Sequence, residues 1–583
     1  MPPSNINYDS YSLLWQWASH NSDTFHHFTP EEASLIRSAL LKWYRANRRK
    51  LPWRGDSGPF DGSTAGIATS SVKAKKKASG EKVMKGQKDI ASFFNPKKQV
   101  PSKIEDLNTH SDSSYDQAIE VTGYSVWVSE IMLQQTRVEA VIPFYLKWMK
   151  SFPTVHQLAN ASEDEVNAHW AGLGFYRRAR LLHQGAKYVV NEFNGTMPSD
   201  VDSLLKISGI GPYTANAIAS IAFDQCVPVV DGNVCRVLSR LKGVANHIKA
   251  PIFKDNIGWT LAEQIVKAGD GKHAGEVNQA LMELGATYCA PSGSGIDKND
   301  PLKDFYVSTR IGIQLDGLLQ EESIEISDFT SMIATNQGST KCALCEKDAI
   351  HNIIFQLSDS ISSSLKANEK MGLSRYDLAA KAGHAVFPID PPKKSKREEV
   401  LSVAALYHTG SEKKKWLMVK RKNDGLLAGQ WELPANCIWS STETTKQRKS
   451  KTETDSVQVP SFDIEYRRGG INKELLNYTW QRNGKSNTMQ EIWSDDSTQK
   501  YSIESPIEHI FSHVRWSMYC EFADVTSTIS TSMLNEKFLT KDGREYRFMS
   551  EDDMKEVGIT SSVKKCLSAV KARAEASKRR KLN

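Results

Sequence analysis

The stretch Leu204–Val234, LLKISGIGPYTANAIASIAFDQCVPVVDGNV, decides how the rest of the chain is read. An apolar turn leads into Gly209 and Gly211, two glycines that let the backbone turn sharply and come close to something bulky. Pro212–Tyr213 opens a helix. Its free N–H groups and positive dipole end therefore lie beside the glycine turn, where an anion such as a phosphate would sit. Ala215, Ile218 and Ala222 predict a narrow apolar face that packs closely. Asp231 comes twenty residues past Gly211, after the apolar run Val227–Val230, and is expected in a pocket partly shielded from water. A lone G-x-G turn is weak evidence of phosphate contact; the turn, the helix and the aspartate at this distance are far more specific.

The 583 residues give room for two or three domains. A net charge of +7 suits a polyanionic partner without proving one. No apolar run reaches membrane-spanning length, and no secretory pattern opens the chain. Eight cysteines in so long a chain do not make a disulfide scaffold, which points to a reducing compartment.

Residues 1–28 show no clear periodicity. Thr29-Pro-Glu-Glu32 is a helix start, and the helix is expected to run through Leu35, Ile36, Leu40 and Trp43. Residues 55–122, rich in Gly, Ser, Lys and Asp, predict a disordered insertion. Within it, Gln87, Ile90, Phe93 and Phe94 have the spacing of a single helical turn that plugs an apolar pocket. Lys73–Lys77 is a nuclear import signal, a charge patch for DNA or plain solvation.

The next ordered element is YSVWVSEIMLQQTRVEAVIPFYLKWMKSF, Tyr124–Phe152. Val128, Ile131, Met132 and Val138 are expected to form a buried stripe, with Glu130 and Gln134 sharing another edge. Most helix glutamates are merely solvated. If this edge lines a closed pocket, desolvation would raise the Glu130 pKa and keep a proton available.

The turn, helix and aspartate resemble the helix-hairpin-helix glycosylase superfamily, whose members cut damaged or mispaired bases from DNA. Members that also cleave the strand carry a lysine at position 213; Tyr213 implies a hydrolytic, monofunctional enzyme. The wording VSEIMLQQT resembles the adenine DNA glycosylases of the MutY type, over most of residues 29–54 and 124–289. The resemblance implies that Glu130 protonates adenine and that Asp231 stabilises the charge developing on the sugar, with Tyr213 and Asn233 assisting. It places Trp53, Arg54 and Glu283 near the extruded adenine. Gln135, Thr136, Leu173 and Phe175 would contact the opened duplex, the last replacing a usual tyrosine wedge. Gly209 and Gly211 would hold a phosphate. Gln87, Ile90, Phe93 and Phe94 resemble a motif that binds the sliding clamp PCNA.

The family usually follows Cys289 with a compact loop, C-x6-C-x2-C-x5-C, holding a 4Fe-4S cluster. Here an insertion at 290–341 intervenes before Cys342 and Cys345, and His351 takes the fourth position. This set of three cysteines and a histidine could hold a cluster, hold zinc or be a decayed site.

Residues 352–398 read as a connector, and 399–570 as a second domain with strands at Val400–His408 and Trp416–Arg421. Lys420–Pro434 resembles the Nudix-like C-terminal domain of the same glycosylases, but no glutamate-rich catalytic box follows it. In that domain Phe511, Ser512 and His513 would face 8-oxoguanine opposite the adenine. Residues 440–459 are a polar loop, and the basic end at 571–583, with Lys578–Lys581, is a nuclear signal or a DNA-contacting tail.

The fold expected is thus an all-α helix-hairpin-helix glycosylase domain of two helical lobes over 29–351, joined to an α+β Nudix-like domain. The expected partners are duplex DNA with adenine opposite 8-oxoguanine or guanine, and PCNA; no membrane partner is expected. The expected location is the nucleus, with a mitochondrial form as the alternative. Three rivals are a glycosylase with lyase activity, a Nudix-type nucleotide hydrolase, and a catalytically idle scaffold on DNA and the clamp.

Overall fold

A computed structural model describes the chain except residues 1–10, 21, 61–117, 322–325, 328, 332–341, 343, 346–348, 368–372, 391–395, 423–424, 442–458, 483, 512 and 583. The clamp-motif positions Gln87, Ile90, Phe93 and Phe94, and Ser512, therefore lie outside the described residues. The chain divides into two compact units. One holds residues 1–142, 198–204 and 211–391; the other holds 143–197, 205–210 and 392–583.

The first unit is helical. Thr29 caps the helix Pro30–Asn47, its hydroxyl accepting from the Glu32 N–H at 3.2 Å. Ile36, Leu40 and Trp43 face the core as expected, but Leu35 is 61% exposed and Arg37 turns inward in its place. These side chains meet Val237, Leu238 and Leu241 of the helix Gly232–Lys242, Leu261 and Ile265 of Gly258–Lys267, and Val277, Leu281 and Leu284 of Ala274–Ala286.

A second apolar layer is built from stretches to which the sequence reading assigned no helix. The unread N-terminal residues hold the helix Ser12–Ser19, with Leu14 and Trp17 fully buried. The insertion at 290–341 contains the helix Val307–Glu321; the helix Ala349–Ala367 runs into the connector at 352–398, which also contains Arg375–Val386. Ile353, Ile354, Leu357 and Ile361 are spaced for one helical face and join Trp17, Ile311 and Leu315 in a common core. Val307–Glu321 and Arg375–Val386 cross at glycines. A Cβ on Gly312 would lie 2.2 Å from the Ala379 carbonyl, and one on Gly383 the same distance from the Ser308 carbonyl. This layer is helical packing, not a tether.

The second unit contains the helices Val155–Asn160, Glu163–Trp170 and Arg177–Phe193 and a C-terminal sheet. The unit's strands are β1 Arg397–His408, β2 Lys415–Lys420, β3 Trp431–Glu432, β4 Ala435–Ser440, β5 Thr479–Arg482, β6 Lys485–Thr488, β7 Lys500–Ser502, β8 Ile507–Ile510, β9 Val514–Asp524, β10 Phe538–Leu539 and β11 Glu545–Ser550, of which β5 and β6 pair apart from the main sheet. The main order is β10-β11-β2-β1-β9-β7, with β1 and β9 parallel and Arg397 opposite Val514. Alternation along β1 feeds two cores: Leu401, Val403 and Ala405 face the helix Ser561–Leu582, while Ala404 and Leu406 face Ile464–Leu475 and Met489–Ser494. Among the described residues no helix is long and apolar enough to cross a membrane.

Candidate active site

The site lies in the helical unit and starts with the helix Gly123–Leu133. A reciprocal cap starts it: Ser125 N–H donates to Thr122 Oγ1 at 3.1 Å, and Thr122 N–H donates to Ser125 Oγ at 2.8 Å. The expected single buried stripe is corrected, because every residue from Gly123 to Met132 is buried. Val138 is not part of that stripe; half-exposed, it opens the next helix. Gln135, at φ 57°, and Thr136 form the turn between the two.

Burial on all sides puts Glu130, only 6% exposed, inside the protein. Its partner is the Tyr213 hydroxyl, which donates to Glu130 Oε2. Desolvation pushes the Glu130 carboxyl up to about 7. The Tyr213 hydrogen bond and the Arg54 charge work against that rise, and the Asp231 charge adds to it. Tyr213 is held well above the ordinary phenol range by burial and by the same two carboxylates, so it remains a donor.

Asp231 is the N-cap of Gly232–Lys242. Its Oδ1 accepts from the Val234 N–H at 2.7 Å and its Oδ2 from Asn233 Nδ2 at 2.9 Å. Burial raises its pKa even though these hydrogen bonds and Arg236 favour the anion. Part of the residue's surface remains in solvent. Arg236 Nη2 donates to Asn233 Oδ1 at 2.7 Å and to the Gly285 carbonyl at 2.7 Å. That fixes which end of the Asn233 amide faces Asp231. Arg236 was missed because an arginine in sequence reads as a solvated helix face.

Trp53 and Arg54 lie on the turn Pro52–Arg54, and Trp53 is buried. Arg54 Nη2 donates to Glu283 Oε2 at 3.0 Å, and Arg49, a second residue missed, donates to both Glu283 oxygens at 2.6 and 3.0 Å. Burial alone would raise the Glu283 pKa, but the two arginines outweigh it and hold the carboxyl below its usual value. Glu130, Tyr213, Asp231, Asn233, Arg54 and Glu283 are thus brought into one connected region of one unit.

The helix Pro212–Phe223 begins at Gly211 with no side-chain cap. Its buried face is wider than Ala215 and Ile218, taking in Thr214, Ala217, Ala219 and Ser220, while Ala222 is only half-buried. Gly209 has φ +86°, and a Cβ there would lie 2.8 Å from Leu181 Cβ.

In the second unit, Phe175 is 48% exposed at φ 50°, on a turn whose Leu173 is buried. Trp170 Nε1 and Arg178 Nη2 both donate to the Gly174 carbonyl, at 2.9 and 3.1 Å, and the Arg178 guanidinium lies 5.4 Å from the Phe175 ring. The turn is braced from beneath and presents an aromatic ring outward. Phe511 and His513 lie in the link between β8 and β9: Phe511 N–H donates to the Val514 carbonyl at 2.8 Å, and its ring packs on Trp516. His513 is exposed.

The expected metal ligands do not assemble. Cys289 is fully buried, and Arg240 Nη1 donates to its sulfur at 3.3 Å and to its carbonyl at 2.9 Å. His351 lies on the helix Ala349–Ala367. Cys342 and Cys345 instead meet His20 and His26, which the sequence reading left unassigned, with their ligand atoms all within 4.8 Å of one another. A cubane must fit its own eight atoms among four separate ligands. The cluster expected on Cys289, Cys342, Cys345 and His351 does not fit this arrangement.

Residues 128–256 match the model of the HhH-GPD superfamily of base excision DNA repair proteins. The chain is 30% identical to an adenine DNA glycosylase of Arabidopsis thaliana, over 92% of this chain and 64% of the relative. It is 36% identical to the Homo sapiens adenine DNA glycosylase, over 72% of this chain and 60% of that one. The chain is similar to adenine DNA glycosylases, with a base excision DNA repair segment at residues 128–256. It thus spans less than two thirds of the length of these two relatives. An adenine DNA glycosylase of Schizosaccharomyces pombe is 28% identical over 93% of this chain and 90% of its own length, so the resemblance runs through the sheet-bearing unit as well. Position 213 is a tyrosine engaged with the buried Glu130, not an amine.

Proposed function

We propose that the chain hydrolyses the N-glycosidic bond of adenine mispaired with 8-oxoguanine or guanine in duplex DNA. The observation that carries the reading is Glu130: a buried carboxyl held to about 7, hydrogen-bonded by Tyr213 and set in the field of Asp231. A carboxyl near 7 is half protonated at neutral pH and suits proton donation to a weak base. Glu130 gives its proton to a ring nitrogen of adenine. The C1′–N9 bond breaks with its electron pair leaving on the base, and the positive sugar is stabilised by the Asp231 carboxylate. Water adds to C1′ and its proton passes to the Glu130 carboxylate, restoring the acid. Asn233 orients Asp231; Tyr213 holds Glu130 and, lacking an amine, forms no Schiff base.

The N–H groups of the uncapped helix at Gly211–Tyr213 would take a DNA phosphate, and Phe175 would enter the stack while adenine is turned out. Gln135 and Thr136 would fill the gap. We read the sheet-bearing unit as the Nudix-like reader of 8-oxoguanine, through Phe511, Ser512 and His513. Gln87, Ile90, Phe93 and Phe94 would dock on PCNA, and the basic runs suit a nuclear location. The test is base release from duplexes carrying adenine opposite 8-oxoguanine, guanine and thymine. Wild type should release adenine from the first two, and Glu130→Gln should bind the duplex but release none. Near wild-type release by that variant would remove the acid assignment, and with it the reading.

A further inference from the structure

His509 begins the H-I-F-S-H stretch on the sheet-bearing unit, and no role has yet fallen to it. Strand β8 alternates: Glu508 and Ile510 are exposed, while Ile507 and His509, with Phe511 just past the strand, turn to the packed face. His509 is paired directly with Trp516 on β9. Its ring meets Phe511 edge to face with centroids 4.5 Å apart, and Phe511 meets Trp516 in the same way at 4.8 Å. The His509 and Trp516 rings are 6.4 Å apart, so the three close a triangle.

Trp516 is the fixed corner. It is buried, and its Nε1 donates to Glu399 Oε2 at 2.8 Å. His509 is the corner beside the C-terminal helix. Its Nε2 lies 3.3 Å from Ser561 Oγ, and Lys565 of that helix donates to the Glu508 carbonyl at 2.8 Å. His509 Nδ1 is buried with no partner among the described residues. Burial and the Lys565 charge push the imidazole down to about 4, so at neutral pH it is uncharged and packs as an aromatic ring. Residues 511–513 join β8 to β9, and their backbone is tied at both ends. Phe511 N–H donates to the Val514 carbonyl at 2.8 Å, and Arg397 N–H, at the start of β1, donates to the His513 carbonyl at 3.0 Å.

We infer that His509 is a positioning residue for the recognition of 8-oxoguanine: its ring holds Phe511 against Trp516 and so fixes the link that meets the base opposite adenine. The inference rests on the reading of the sheet-bearing unit as the 8-oxoguanine reader. 8-Oxoguanine differs from guanine at one edge, by an oxygen on C8 and a hydrogen on N7. Discrimination by so small a difference needs polar groups held in place, because a misplaced partner leaves a buried donor or acceptor unpaired. A displacement of about 1 Å is enough to cost on the order of 10²-fold.

The test is the ratio of single-turnover adenine release from duplexes with 8-oxoguanine and with guanine opposite the adenine, measured on the full chain. A general loss of folded enzyme lowers both rates alike and leaves the ratio unchanged. Wild type should favour 8-oxoguanine, and Phe511→Ala should lose most of that preference. His509→Ala should lower the ratio by about 10-fold, the effect of losing its aromatic contacts. His509→Phe keeps a ring in the same place and should retain the ratio. If His509→Ala does not fold, His509→Leu fills the space without a ring and should show the same fall. A wild-type ratio in His509→Ala or His509→Leu, beside a collapsed ratio in Phe511→Ala, would overturn the role of His509 and leave the reader standing. A fall in His509→Phe as large as that in His509→Ala would also overturn it. Equal rates on the two duplexes in wild type would instead remove the reader, and this inference with it.

Discussion

Glu130 and Glu283 are both glutamates on helices of the same unit, 6% and 1% exposed, yet they are driven in opposite directions. Desolvation disfavours the charge on each. Glu130 meets a phenol hydroxyl and lies in the field of a second carboxylate, so burial wins and its proton is held to about 7. Glu283 meets two guanidinium groups at 2.6–3.0 Å, and the pair charges win. Burial makes the stakes large, and the partner decides the sign. One carboxyl is thereby kept as a proton source and the other as a permanent anion that fixes Arg49 and Arg54.

The largest expected break in that contrast is Glu130→Gln. It keeps shape and burial but has no proton to give, so adenine release should fall by at least about 10²–10⁴-fold, the contribution usual for a positioned acid. Single-turnover assays with excess enzyme check this. The mirror change is Arg49→Met, which leaves the Glu283 charge only half compensated. Breaking a buried ion pair on one side costs about 3–5 kcal/mol, so this variant should unfold at markedly lower denaturant concentration. Equal denaturation midpoints for Arg49→Met and wild type would show that Arg54 alone neutralises Glu283.

The third effect separates activity from stability. Glu130 titrates at 4.5 ordinarily and at about 7 here, so the folded chain binds the extra proton. Its stabilising share is complete below about 4.5 and is lost as pH rises through about 7. By 1.36 kcal/mol per pH unit, keeping that site ionised costs the fold about 3 kcal/mol at pH 8. Glu130→Gln should therefore melt higher than wild type at pH 8 and equally at pH 4. The wild-type rate should also decline as pH rises through about 7. A rate flat to pH 9 would mean that the proton comes from elsewhere.

The sequence exposes half of this comparison. Gly209, the helix at Pro212 and Asp231 are legible because each needs a local conformation that few residues supply. Glu130 is legible as an acid set among Trp127, Ile131 and Met132. The compensating cations are not, since Arg49 and Arg236 follow or sit among other basic residues and reach partners far along the chain. His20 and His26 lie in a stretch without periodicity, and their link to Cys345 spans more than three hundred residues. The helices at 307–386 were hidden for another reason. Their apolar positions are diluted by serine, aspartate and glycine, and two of those glycines are what lets Val307–Glu321 and Arg375–Val386 meet.

The smallest effect tests whether Asp231 follows the same rule. It combines influences seen on both glutamates: burial raises its pKa, while the Val234 N–H and the Asn233 amide favour the anion. Asn233→Ala removes one of those hydrogen bonds to a charged group, worth about 1.5–3 kcal/mol, so release should fall roughly 10-fold or more. The acid limb of the rate profile should also move to higher pH, because an anion with one donor fewer protonates more readily. Arg236→Met leaves the amide present but unanchored, and should shift the same limb in the same direction by less. If Asn233→Ala slows release without moving the limb, the amide acts on the attacking water. Asp231 would then owe its charge to the helix it caps, and the rule that the partner decides the sign would hold for the two glutamates alone.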